Sequence, residues 1–102
     1  MKKMKASKKL YLKWYEDMMI WRKIEDKASA LYVQQKIRGF LHLYNGQEAV
    51  LAGTLAAIEV GKDRTITAYR NHVHPVGLGV EPKYIMAELM GKKTGISSGL
   101  GG

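Results

Sequence analysis

Cysteine is missing from this chain of 102 residues, so disulfides and thiolate metal sites are excluded, and a reducing compartment is permitted. Cytoplasm is the resulting expectation. Proline occurs twice and phenylalanine once. Long apolar runs are absent as well: no stretch approaches the roughly 20 residues of a membrane span. A secretory signal needs an unbroken apolar stretch after its basic start, and Lys13, Glu16 and Asp17 interrupt the first one. The opening lysines include no arginine, which argues against a mitochondrial presequence. Acids are missing from the first fifteen residues, which hold Lys2, Lys3, Lys5, Lys8, Lys9 and Lys13.

That asymmetry explains the net charge of +8: from residue 14 onward 11 basic residues face 9 acids, a balance of +2. Basicity is a property of the start, and residues 1–9 are expected to form a basic mobile tail. A solvated segment is the simple reading of such a run, and contact with nucleic acid or an acidic membrane surface is the sharper one. The 46% apolar and 25% charged composition is that of an ordinary globular chain able to bury a core. The length suits one domain or part of one, residues 10–102, whereas a sheet covered by helices on both faces generally needs more chain.

Leu10, Trp14, Met18, Trp21, Ile24, Ala28 and Leu31 recur at spacings of three and four with charged residues between them, which predicts an amphipathic helix over about residues 8 to 36, closed by Gly39. Asn45 and Glu48 have the spacing of a helix cap with a reciprocal carboxylate, and the apolar run Ala49 to Ile58 predicts a second, buried helix. Gly61-Lys62-Asp63 is a turn, and Arg64 to Ala68 has the β-branched content of a short strand. Asn71 to Gly79 is ambiguous, since Pro75 suits a first helical turn while Gly77 and Gly79 weaken one. Pro82 to Met90 predicts a further helix with Tyr84, Ile85, Met86 and Leu89 facing inward and Gly91 as terminator. The Gly95 to Gly102 segment reads as a flexible loop.

Familiar nucleotide motifs fail here. Gly77-Leu78-Gly79 lacks a third glycine because Pro82 stands in its place, and Gly91-Lys92-Lys93-Thr94 lacks the upstream glycine of a P-loop because Met86 occupies it. His72 and His74 could share a strand face and recruit His42 for a metal, but nothing else fixes that geometry, and no metal ligand is assigned. Ser97 and Ser98 have no base or orienting acid at a telling distance in sequence and read as loop residues.

Two polar islands remain, Arg38-Gly39-Phe40-Leu41-His42-Leu43-Tyr44-Asn45-Gly46-Gln47-Glu48-Ala49 and Thr67-Ala68-Tyr69-Arg70-Asn71-His72. In the second, the planar guanidinium of Arg70 and the hydroxyl of Tyr69 suit an anion such as phosphate. A structural salt bridge for Arg70 and a packed Tyr69 stand beside that reading, as do a connector role for His42 and a capping role for Glu48.

Together the islands, the histidine before Gly-Gln-Glu-Ala and the Ala-Tyr-Arg-x-His run, with the Pro82 to Met90 helix and Gly-Lys-Lys after it, resemble the alpha subunits of the thiamine-dependent, decarboxylating component of pyruvate dehydrogenase. The resemblance covers about Tyr15 to Gly102. It implies an α/β class, the N-terminal part of a thiamine diphosphate-binding α/β/α fold, mostly helical over this stretch. It further implies that Tyr69, Arg70 and His72 lie at the cofactor, that His42 faces the substrate side, and that pyruvate is decarboxylated and its two-carbon unit passed to a lipoyl-bearing acyltransferase. A beta subunit is the implied partner. The family's magnesium and diphosphate segment is expected beyond Gly102, so the chain is expected to be an N-terminal fragment, inactive alone. The competing expectation is a small basic helical module binding nucleic acid or another acidic partner.

Overall fold

The computed structural model describes residues 6–101, and every regular element among them is a helix: α1 (Lys8–Val33), α2 (Glu48–Ala57), α3 (His74–Gly77) and α4 (Pro82–Leu89). None of these is long and apolar enough to cross a membrane. Ser7 opens α1 in an extended conformation and accepts the amide of Leu10 at 3.2 Å, an N-cap that satisfies one of the first unpaired donors. Lys8 and Lys9 therefore lie inside a helix, and the boundary expected at residue 9 falls within α1. Lys2, Lys3 and Lys5 of the expected mobile tail lie outside the described residues.

At its far end α1 stops earlier than the spacing predicts. Gln35 takes a left-handed φ of 61°, and Lys36 donates its amide to the Leu31 carbonyl at 2.9 Å, a Schellman-type closure without glycine. The reversal lets Ile37 fold back against Ala28 and Leu31, where all three are buried. Gly39 lies beyond the helix. Of the expected stripe, Trp21, Ile24, Ala28 and Leu31 are buried, and Trp14 and Met18 pack at the edge of the core. Trp21 and Ile24 join Tyr44, Leu51, Ala52 and Val73 in the larger cluster, and Met86 of α4 touches both clusters.

Helix α2 departs from expectation in its cap and in its burial. Its N-cap is Gln47, not Asn45, which instead donates its side-chain amide to Asp26 on α1 at 2.9 Å. Glu48 folds back to accept the Gly46 amide at 2.8 Å and pairs with Arg22, so its carboxylate fastens the turn to α1. Burial of α2 is one-sided: Leu51 and Ala52 are enclosed while Ala49, Val50, Gly53 and Ala57 are exposed, because the neighbouring helices cover one face only.

Arg64 to Ala68 takes no regular structure and forms no strand, and Ile66 is 99% exposed. Strand identity requires ladder hydrogen bonds from a neighbour, and β-branched content cannot supply one. Pro75 does sit in the first turn of α3, resolving that ambiguous stretch as a single helical turn. In α4, Ile85 is buried and Met86 and Leu89 are half-buried, but Tyr84 faces outward with the Lys83 ammonium over its ring. Gly91 ends the helix with a φ of 68°.

The closing segment is more than a loose loop. The Glu88 carboxylate accepts the amides of Ser97 at 2.6 Å, Gly99 at 3.0 Å and Gly101 at 2.8 Å, drawing residues 95–101 across α4. The approach is close enough that a Cβ on Gly95 would stand 2.5 Å from the Glu88 Cα. The amide of Gly101, foremost, and those of Gly99 and Ser97 hold the Glu88 carboxyl below its ordinary value against an opposing effect of burial. A depressed carboxylate pKa contributes stability above the unfolded value and loses it as pH falls through the folded one. The amide resonances of Ser97, Gly99 and Gly101 are therefore expected to hold until the pH is below the ordinary glutamate range and then to move together. Glu88→Gln should remove that acid transition; a transition persisting in the variant would assign it to another group.

Candidate functional site

The two islands meet on one side of α1. His42 and Tyr69 stack edge to face with ring centroids 5.0 Å apart, and the Arg70 guanidinium lies 5.5 Å from the centre of the Tyr69 ring. Tyr69 is mostly exposed and Arg70 half-buried, so phenol, imidazole and guanidinium are presented together at the surface. Arg70 holds a left-handed φ of 66°, an arrangement that costs a non-glycine residue on the order of 1 kcal/mol and concentrates at ligand clamps.

What holds Arg70 there is a clamp on one peptide unit. The guanidinium donates to the Leu43 carbonyl at 2.8 Å, while the Tyr44 amide, the other end of the same peptide bond, donates to Glu25 at 2.9 Å. Glu25 also meets the His72 Nδ1 at 3.0 Å. Residues 25, 43, 44, 70 and 72 thus form a chain of hydrogen bonds joining both islands to α1. Among the described residues no carboxylate pairs with Arg70, which removes the structural salt bridge as the account of its charge. One donor is used on the Leu43 carbonyl, and a guanidinium carries five.

Glu25 is the residue that sequence reasoning overlooked, although a signal was present. It stands in the register of the apolar stripe, four residues after Trp21 and three before Ala28, where an acid must be buried with partners. Its side chain is 1% exposed.

His74 points elsewhere, edge to face with Tyr44 at 5.0 Å. Burial pushes the His74 imidazole below its ordinary pKa; the Asn71 backbone opposes that shift, and among the described residues no hydrogen-bond partner reaches Nδ1. Burial, with a smaller effect from the Glu48 charge, raises the Tyr44 phenol. The three histidines are thus parted among Tyr69, Glu25 and Tyr44, and the described residues hold no group of three histidine, aspartate or glutamate side chains able to bind a metal. Beside His72 opens a cavity of about 300 Å³ lined by Arg38, Phe40, Asn71, Ile85 and Glu88 among others.

The pyruvate dehydrogenase E1 component subunit alpha of Rickettsia prowazekii is 50% identical over 100 residues, 98% of this chain and 30% of that protein. The subunit of the same description from Zymomonas mobilis is 45% identical over 97 residues, 95% of this chain and 27% of the relative. A chloroplastic alpha-3 subunit from Arabidopsis thaliana is 44% identical over 91 residues, 89% of this chain and 21% of the relative. The chain spans less than a third of the length of each. The dehydrogenase E1 component family matches residues 16–102, and the chain belongs to that family.

Proposed function

We propose that this chain contributes the Tyr69 and Arg70 wall of a thiamine diphosphate site in an enzyme that oxidatively decarboxylates pyruvate and transfers the acetyl unit to a lipoyl-bearing acyltransferase. The observation that carries the reading is the half-buried guanidinium of Arg70, paired with no carboxylate among the described residues and brought beside Tyr69 and His42. Family membership and the names of the relatives support it. The reading includes a beta subunit as partner, a complete α/β/α fold in the assembled enzyme, magnesium ligands outside the described residues, and a cytoplasmic location. The basic binding module gains no support from the comparisons.

The residues present fit a diphosphate. Arg70 retains donors after bonding Leu43, its partial burial reduces the screening of its charge, and the Tyr69 hydroxyl adds a neutral donor beside it. Thiamine diphosphate, when bound, supplies the electron sink for decarboxylation. The protein's own share is orientation and charge stabilisation: Arg70 and Tyr69 hold the anionic end, and the clamped peptide between Leu43 and Tyr44 fixes His42, one residue earlier, toward the substrate.

His42 separates binding from turnover. In the full-length subunit assembled with its beta partner, His42→Ala should lower kcat for pyruvate by roughly 100-fold, the scale of one positioned acid or base, and leave thiamine diphosphate affinity nearly unchanged. Steady-state kinetics together with a cofactor titration checks both, and undiminished kcat would remove His42 from the substrate side.

A further inference from the structure

We propose that Glu25 is a positioning residue that keeps a proton on Nδ1 of His72, so that Nε2 is the only ring nitrogen His72 offers to the cavity beside it. The two carboxylate oxygens are divided between two jobs. One faces Nδ1 at 3.0 Å, and the other accepts the Tyr44 amide at 2.9 Å while lying 3.2 Å from the same Nδ1. A backbone N–H can only donate, so the second oxygen is an acceptor, and both oxygens lie within 3.2 Å of the one ring nitrogen, as acceptors gather about a single N–H. That geometry makes Nδ1 the donor of the pair.

Burial makes the assignment firm. Glu25 is 1% exposed, and His72 is 17% exposed in the wall of the cavity that Asn71, Arg38 and Glu88 also line. With the Glu25 oxygens as acceptors, the other tautomer in so enclosed a place would set acceptor against acceptor, at the cost of an unpaired buried group. The cavity thus meets a nitrogen that accepts from a ligand N–H or O–H when the ring is neutral and donates to an anion when it is protonated. The link between Glu25 and the cofactor region rests on the function proposed above; the tautomer does not.

The test is nitrogen NMR of the 102-residue chain labelled with 15N-histidine, recorded at a pH where the imidazoles are neutral. His72, assigned by its loss in His72→Gln, should show Nδ1 protonated and Nε2 bare. In Glu25→Gln a single amide oxygen remains for the Tyr44 N–H, the amide NH2 turns to Nδ1, and the neutral ring should shift toward the Nε2–H form by roughly tenfold or more in tautomer ratio. Val73 methyl resonances report whether the core survives the substitution. An Nε2–H ring in the unaltered chain overturns the proposal without any variant, and a folded Glu25→Gln chain that keeps Nδ1–H overturns the role of the carboxylate. Neither result bears on whether Arg70 binds diphosphate, which the cofactor titration of Arg70→Ala decides separately.

Discussion

Arg70→Ala in the assembled full-length enzyme is expected to weaken thiamine diphosphate binding on the order of 10- to 100-fold, corresponding to roughly 1.5–3 kcal/mol for one charge-assisted hydrogen bond. Lys92→Ala should leave binding unchanged, because Lys92 is exposed in the turn after α4. Two side effects of removing Arg70 need separating from the loss of charge. The Leu43 carbonyl loses its donor, and the left-handed backbone at position 70 stays strained with alanine as with arginine. Arg70→Gly relieves that strain, so it should fold at least as well as Arg70→Ala and bind the cofactor as poorly. Calorimetric titration of the three variants gives the comparison, and equal affinity of Arg70→Ala and Lys92→Ala would sink the assignment of Arg70.

Trp21→Ala is expected to cost roughly 3–5 kcal/mol of stability, the range for removing a buried tryptophan, which is enough to unfold much of a marginally stable chain. Trp21 is 3% exposed at the centre of the larger cluster, and its ring reaches within 3.3 Å of where a Cβ on Gly77 would stand, so α3 rests on it directly. Tyr15→Ala on the same helix should cost little, since Tyr15 is 62% exposed. Urea denaturation followed by circular dichroism measures both, and comparable midpoints for the two variants would show that α1 does not organise the core as described.

Its periodicity alone placed the buried face of α1, because an apolar residue every three or four positions can be hidden only along one side of a helix. Pro82 and Gly91 likewise bracketed α4, since proline suits a first turn and glycine a left-handed stop. A place for Tyr69 and Arg70 at a cofactor and for His42 on the substrate side was implied by family resemblance, whereas composition and spacing left each with an ordinary structural alternative.

Other features depended on neighbours that no local pattern reveals. Asn45 and Glu48 had the spacing of a cap, yet Asp26 and Arg22 on α1 captured both side chains and Gln47 became the cap. Arg64 to Ala68 had the composition of a strand and lacked a partner to complete it. The glycine-rich end looked unconstrained until Glu88 gathered three of its amides.

By itself the sequence determined the long amphipathic helix, the absence of thiol chemistry and the two islands of polar residues. Tertiary structure decided that one buried acid, Glu25, and one guanidinium, Arg70, would grip opposite ends of the peptide between Leu43 and Tyr44. The reason is physical: helical periodicity is a property of neighbouring residues, whereas a buried hydrogen bond is made between groups 19 and 27 positions apart, and only the folded chain brings them within reach.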